Sequence, residues 1–398
     1  MTTTPDPAAI RKAVQTLATV EDEINVMFLE REQEIRTALI CLLARQHAVL
    51  IGPPGTGKSA LIEEIAHRCG DLKFFSYLMT KFTQTDELFG PVSFAGIKNE
   101  TYQRVTANTL VEAEVAILDE TWKPSSAILN TLLRLINERE FKNGVTTIKV
   151  PLVSLFGASN ELPEGHDLDA IRDRFLFTSF VKYLTDSNFE KLMMRKAGIE
   201  PDPFGFPKTM IARADLSLLQ GYARALPFNP QVIVSHATIR RELEKAGIII
   251  SDRRNGFCLD VLRANAVLEE RDTVTTDDLA VLIDALWMEP QQRPTVARII
   301  NKYGNPANAR AAEIKDQADK RYHDTKQLID SAASNPQERG RVVSAAAVAA
   351  GELETFLNEL KEIQGRQARP NRRIAQTMTA VGAMHMEMLK AVGVKFNM

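Results

Sequence analysis

Residues 52–59 read Gly52-Pro53-Pro54-Gly55-Thr56-Gly57-Lys58-Ser59, and no other stretch of the chain restricts its fold so strongly. The glycines let the backbone wrap closely round an anion, so that successive N–H groups point at the α- and β-phosphates of a nucleotide. Lys58 then reaches the β- and γ-phosphates, and the Ser59 hydroxyl ligates Mg²⁺. The pattern demands a strand before the loop and a helix after it. His47-Ala48-Val49-Leu50-Ile51 is an apolar run of buried-strand length, and Ser59–Arg68 places Leu61, Ile62, Ile65 and Ala66 on one helical face. With Ala60 in its first turn, that helix adds partial positive charge to the phosphate site. ATP or ADP with Mg²⁺ is the expected ligand.

A second constellation fits the first. Val115-Ala116-Ile117-Leu118 is an apolar strand that ends in Asp119-Glu120, delivering two carboxylates to the edge where open α/β sheets bind ligands. Asp119 is expected to hold Mg²⁺ with Ser59, and Glu120 to orient and deprotonate the attacking water. Leu155–Ser159 is another apolar strand, ending at Asn160, whose amide is placed for the γ-phosphate or the water; the competing reading is a turn before Glu161-Leu162-Pro163. Asp169-Ala170-Ile171-Arg172-Asp173-Arg174-Phe175 offers two arginines. Arg174 is the expected donor to a neighbouring subunit's nucleotide, with Arg172 second and a surface ion pair as the alternative. In Ser251-Asp252-Arg253-Arg254, Arg253 opens a helical run and is expected to fold a lid onto the γ-phosphate, unless Asp252 merely caps that helix.

Strand and helix signals alternate along the first half. Two helices over 8–46 lead in, the second from Glu30 to Arg45; Lys73–Leu78 and Val153–Ala158 are strand-like and Pro124–Glu138 is helical. This predicts a three-layer αβα sandwich around a parallel sheet over 1–186. Two inserts, Phe94–Thr106 around Lys98-Asn99-Glu100 and Phe141–Val150 around Lys142-Asn143-Gly144, are expected to be hairpins. Helical periodicity from about Ser187 predicts an all-α lid over 187–304, with a Pro/Phe/Gly loop at Pro201–Pro207. The last part, 305–398, differs in kind. Val342, Ala346, Ala349, Leu353, Phe356, Leu360 and Ile363 step alternately by four and three, and similar seams run from Ala311 to Ala332 and from Ile374 to Val392. Breaks at Asn335-Pro336 and Arg369-Pro370 predict an antiparallel three-helix, coiled-coil-like unit.

These elements, in this order, resemble the AAA+ ATPases, and more closely the MoxR family and its RavA-like branch. The resemblance covers roughly residues 20–300. It is carried by Leu29-Glu30-Arg31-Glu32, Tyr77-Leu78-Met79-Thr80-Lys81-Phe82, Leu88-Phe89-Gly90-Pro91-Val92-Ser93, Ala127–Leu133, Ile136-Asn137-Glu138-Arg139 and Ala158-Ser159-Asn160-Glu161-Leu162-Pro163. It implies Walker A at 52–59, Walker B at 115–120, sensor 1 at Asn160, a trans-acting finger at Arg174 and sensor 2 at Arg253. One hairpin insert would lie inside the second core helix, the other before sensor 1. Such proteins are hexameric ring ATPases that remodel protein clients, typically with a partner carrying a von Willebrand factor A domain. RavA-like proteins insert a small β-rich domain among their C-terminal helices. The segments 308–334, 340–364 and 372–392 leave no room for one here, so docking would fall to the helices or the Arg369-Pro370 tip.

Bulk properties exclude several alternatives. A formal charge of −2 gives no global attraction to nucleic acid or anionic lipid, so a nucleic-acid motor is disfavoured. No run approaches the ~18 apolar residues of a membrane span, and the N-terminus lacks the pattern of a signal peptide, which points to the cytoplasm. Cys41, Cys69 and Cys258 have neither metal nor redox spacing. The Arg366, Arg369, Arg372, Arg373 cluster reads as a solvated loop. Met384-His385-Met386-Glu387-Met388 reads as seam packing rather than a soft-metal site. The remaining alternative is a nucleotide-gated scaffold that recruits partners without needing turnover.

Overall fold

The computed structural model describes residues 6–98, 100–163, 168–332, 339–366 and 371–393. The expected turn at Asn99 and the breaks at Asn335-Pro336 and Arg369-Pro370 lie outside them, as do the side chains of Arg372 and Arg373. The chain divides into two compact units, Met1–Val234 with Leu243–Arg293, and Ser235–Glu242 with Pro294–Met398.

In the first unit, α1 (Pro7–Met27) and α2 (Glu32–Ala44) precede β1 (Ala48–Ile51) and α3 (Lys58–Arg68). The second helix starts two residues later than its periodicity predicts, because Glu30 takes a left-handed φ of 58° and breaks the chain direction. Then follow β2 (Phe74–Leu78), α4 (Thr85–Phe89), α5 (Phe94–Lys98), β3 (Val115–Asp119) and α6 (Ser126–Glu138). Next come β4 (Glu140–Asn143), β5 (Thr146–Lys149), β6 (Ser154–Ser159), α7 (Asp169–Arg172) and β7 (Phe177–Phe180). The helices α8 (Asp186–Lys196), α9 (Arg213–Ala225), α10 (Pro230–Lys245) and α11 (Asp252–Leu268) complete it, although α10 is shared with the second unit.

Five strands form one parallel sheet in the order β2-β3-β6-β1-β7. Ala48–Ile51 and Ser154–Ser159 are buried along their whole length, as strands covered on both faces must be. On α6, Ile128, Leu129, Leu132, Leu135 and Ile136 are buried against this sheet, and on α3 the predicted Leu61, Ile62, Ile65 and Ala66 are buried. Full burial of each large aliphatic side chain contributes about 1.5–3 kcal/mol. The edge strand β7 is not anticipated from the sequence. Cys41, Cys69 and Cys258 are all free and buried.

The inserts divide. Residues 140–149 form the expected antiparallel hairpin, but its turn is Gly144-Val145, one residue beyond the predicted one. A Cβ on Gly144 would fall 1.9 Å from the Tyr102 carbonyl oxygen, and its φ is 65°, so only glycine fits. The first insert is not a hairpin. Phe94–Lys98 closes a single helical turn, and among the described residues only one antiparallel bridge, Val92 to Arg104, stands where the ladder is expected. The N–H groups that a ladder would need close local turns instead, Ile97 onto the Ser93 carbonyl at 3.0 Å and Thr101 onto the Gly96 carbonyl at 2.8 Å. Asn143 ties the outer edge of this segment to the second insert, since its side chain accepts from the Arg104 N–H at 2.6 Å and donates to the Arg104 carbonyl at 3.1 Å.

On α2, Glu34 is only 7 % exposed. Burial raises its pKa to about 7, and Glu32 and Asp284 add to the rise while Arg31 opposes it. The folded protein thus binds a proton that the unfolded chain releases near 4.5, so this site loses stability as pH rises from 4.5 through 7. Glu34→Gln is expected to raise stability by roughly 1–3 kcal/mol at pH 8 and by much less at pH 5, in urea melts at the two pH values.

In the second unit, α12 (Arg293–Tyr303) is followed by α13 (Pro306–Ala332), α14 (Arg339–Gly365) and α15 (Arg372–Val392). The seam residues Ile314, Ala318, Ala349, Leu353, Leu360, Ile374, Val381 and Met388 are buried together, and Ala346 is buried as well. Arg310 pairs with Glu359 and Arg321 with Glu352, so α13 and α14 are antiparallel. Asn371 donates to Asn308 and Tyr322 to Glu387, so α15 returns parallel to α13.

Candidate nucleotide site

Three loops leave the carboxyl edge of the sheet side by side, because β6 lies between β3 and β1. The register is level: Ile51 faces Ser159 and Asp119 faces Ala158. The ladder runs one residue further, since the Gly52 N–H donates to the Ser159 carbonyl at 2.9 Å. A Cβ on Gly52 would stand 2.1 Å from the Val181 carbonyl oxygen, so the loop can leave β1 only through glycine. Gly55 and Gly57 both take positive φ, 78° and 79°, and Gly57 precedes the first turn of α3. The N–H groups of Lys58, Ser59 and Ala60 start that helix and have no acceptor within it. Thr56 Oγ1 donates to the Pro53 carbonyl at 2.9 Å and steadies the turn. Pro54 stands in the bend between them.

Lys58 Nζ donates to the Gly52 and Pro53 carbonyls at 2.7 and 2.9 Å. Partial burial holds its pKa below the usual lysine value, with Arg31 adding to the fall while Asp119 and Glu120 oppose it. Ser59 Oγ donates to the Asp119 carboxylate at 2.8 Å. A hydroxyl and a carboxylate so close are the hard oxygen donors that Mg²⁺ takes, so this pair fits the ion. Asn160 Nδ2 donates to Glu120 Oε1 at 3.0 Å, and Lys123 Nζ lies 3.3 Å from Glu120 Oε2. The structure therefore gathers Lys58, Ser59, Asp119, Glu120 and Asn160 in one place.

Glu120 has a φ of 55°, a region that costs a non-glycine residue free energy and persists only where neighbours enforce it. Thr121 enforces it. Fully buried, it donates from Oγ1 to the Leu118 carbonyl at 2.5 Å and accepts from the Ala158 N–H at 3.1 Å. It thereby ties the turn after β3 to β6. Gly157 leaves room for this hydroxyl, which a Cβ there would approach to 2.8 Å. A single threonine between a glutamate and a tryptophan carries no sequence signal for such a role.

The arginines form a second group around Asp173. Arg174 Nη1 donates to Asp173 Oδ2 at 3.2 Å, Arg253 Nη1 lies 3.9 Å from the same oxygen, and Ser251 Oγ donates to Oδ1 at 3.1 Å. Burial lowers the Arg174 pKa and the nearby Arg253 adds to this, with Asp173 opposing. Among the described residues, Arg174 Nε has no hydrogen-bond partner. Arg172 donates to the Met288 carbonyl and pairs with Asp169, which fixes it to the lid segment of this unit. Arg254 is 2 % exposed and donates to the carbonyls of Ala285, Asp173, Phe175 and Leu176, so it stitches α11 to the segment that leads into β7. Arg253 is the one left half-exposed. Asp173 sits inside the sequence motif, yet only the fold gives its carboxylate this organising place.

Among the described residues, no cluster of three or more His, Cys, Asp or Glu side chains has metal-binding geometry, and no helix is long and apolar enough to cross a membrane.

The family described as "MoxR domain in the MoxR-vWA-beta-propeller ternary systems" matches residues 15–221, and the AAA lid domain family matches 231–300. An uncharacterized protein of Methanocaldococcus jannaschii is 38 % identical over 314 residues, 78 % of this chain and 82 % of that protein. Chaperone MoxR1 of Mycobacterium tuberculosis is 25 % identical over 217 residues, 53 % of this chain and 55 % of that protein. In structure, the chain is similar to a candidate ATPase from Cytophaga hutchinsonii, with a TM-score of 0.61 and 18 % identity over 74 % of this chain and 95 % of that one.

Proposed function

Because the chain belongs to the MoxR family of AAA+ ATPases, we propose that it hydrolyses ATP with Mg²⁺ and uses the turnover for chaperone-like remodelling of a protein client. The observation that carries this reading is the joint placement of the Ser59–Asp119 pair and the Glu120–Asn160 pair on adjoining loops. Mg²⁺ would lie between Ser59 and Asp119 and neutralise charge on the phosphates. Lys58 would exchange its two loop carbonyls for phosphate oxygens. Glu120 and Asn160 would hold the attacking water in line.

The domains of this reading are a nucleotide-binding core over 1–186, a lid over 187–304 and a helical unit over 305–398. Subunits would form a hexameric ring in the cytoplasm, with Arg174 reaching the neighbour's γ-phosphate and Arg253 acting from the lid. The exposed Phe94 and Val145 of the two inserts would face the client. A partner with a von Willebrand factor A domain is supported by the description of the matched family. The RavA-like placement rests on the quoted sequence stretches alone, and the C-terminal helices depart from it, α14 starting at Arg339 and α15 at Arg372 with only short links before them.

The test is phosphate release by the purified protein with Mg²⁺ present and then chelated. Loss of at least ~10²-fold on chelation is expected, because the ion's charge stabilisation is worth several kcal/mol. Equal release in both conditions would exclude this mechanism.

A further inference from the structure

Glu120 is engaged at both carboxylate oxygens. Oε1 takes the Asn160 amide at 3.0 Å and Oε2 faces the Lys123 ammonium at 3.3 Å. Asn160 comes from the next strand, but Lys123 belongs to the same turn, and its own N–H donates to the Glu120 carbonyl at 3.0 Å. The left-handed φ of Glu120 starts that turn, and Thr121 pins it to β6. The turn thus places Lys123 within reach of the carboxylate. A glutamate that orients and deprotonates water must offer an oxygen lone pair to that water, and an oxygen turned towards an ammonium offers one fewer.

We propose that Lys123 is a positioning residue that restrains Glu120, holding Oε2 away from the attacking water until the ammonium moves aside. This deepens the ATPase reading and rests on it. The side chain of Lys123 is 48 % exposed, so an anion brought by a neighbouring subunit or a client can draw it off. The same exposure limits the strength of the restraint, because a solvated ion pair is weak and screened by salt. Lys123 touches no nucleotide-binding residue among the contacts described above other than Glu120, and it acts only through that carboxylate.

The experiment compares wild type, Lys123→Met and Lys123→Arg by steady-state phosphate release and by titration with a fluorescent ATP analogue. Lys123→Met is expected to raise kcat about two- to fivefold, the range that a partly exposed pair supports. The analogue's Kd should stay within twofold of wild type. Lys123→Arg, which keeps the positive charge, should return the rate to the wild-type level. The ratio of Lys123→Met to wild-type rates should fall towards one as salt rises from 50 to about 500 mM, because salt removes what the mutation removes. A merely structural role for Lys123 would not produce that convergence. An unchanged or lower kcat in Lys123→Met, with hydrolysis otherwise intact, would overturn the restraint and leave the ATPase reading standing. No turnover in any of the three proteins would overturn both.

Discussion

Glu120→Gln is expected to lower the rate of ATP hydrolysis by roughly 10²–10⁴-fold, the usual worth of a positioned general base. ATP binding should persist. The glutamine has the same length, so it keeps the Asn160 contact through its oxygen and demands nothing new of the backbone that Thr121 holds at φ 55°. In the proposed site Lys58, Ser59 and Asp119 would contact the nucleotide through other atoms, and their own hydrogen bonds do not involve Glu120. What the variant loses is one lone-pair oxygen able to accept a proton. The substituted amide nitrogen also meets the Lys123 ammonium as donor against donor, which loosens that side of the turn. Single-turnover phosphate release beside equilibrium titration with ATP separates the two effects. Turnover within tenfold of wild type would remove Glu120 from the role of base and return the nucleotide-gated scaffold to consideration.

Legibility in the sequence tracked how local each feature is. The phosphate loop, the apolar strands that end at Asp119 and Asn160, and the inward face of α3 are written in contiguous residues, and the structure places them as the pattern predicts. The C-terminal seams were legible for the same reason, since a four-three step shows without knowledge of a partner. Features that depend on a distant residue were not. β7 is short, and its place at the sheet edge is set by pairing with β1 through Thr178 and Ser179 opposite Val49 and Leu50, which no period within Phe177–Phe180 announces. The first insert alternates like a hairpin, but Phe94–Lys98 closes a helical turn, and its outer edge at Arg104 is held by Asn143, far along the chain. At the site, Thr121 and Asp173 act through contacts to β6 and α11, so their roles appear only when the strands and helices are assembled. The choice between Arg253 and Arg254 is of this kind too. Adjacent residues of one type cannot be ranked by sequence, whereas in the structure Arg254 is buried among four carbonyls and Arg253 is half-exposed.

Arg174→Ala is expected to cost about 10³–10⁵ in kcat if the arginine completes a neighbour's active site, the range found for NTPases that use such a finger. The side chain is 11 % exposed and shares Asp173 with Arg253, while its Nε lacks a partner among the described residues. Two guanidinium groups against one carboxylate leave unspent positive charge, and a phosphate from outside would satisfy it. The decisive form of the experiment mixes two inactive proteins. Glu120→Gln lacks the base but carries an intact Arg174, and Arg174→Ala has the reverse. If sites are shared, some interfaces in the mixture pair an intact Glu120 with an intact Arg174, and activity returns that neither protein has alone. If each chain works by itself, mixing restores nothing. Running Arg253→Ala beside them assigns the finger, because complementation with Glu120→Gln follows whichever arginine crosses the interface. A full loss confined to Arg253→Ala, with Arg174→Ala near wild type, would reverse the two roles and make Arg174 the residue that anchors Asp173.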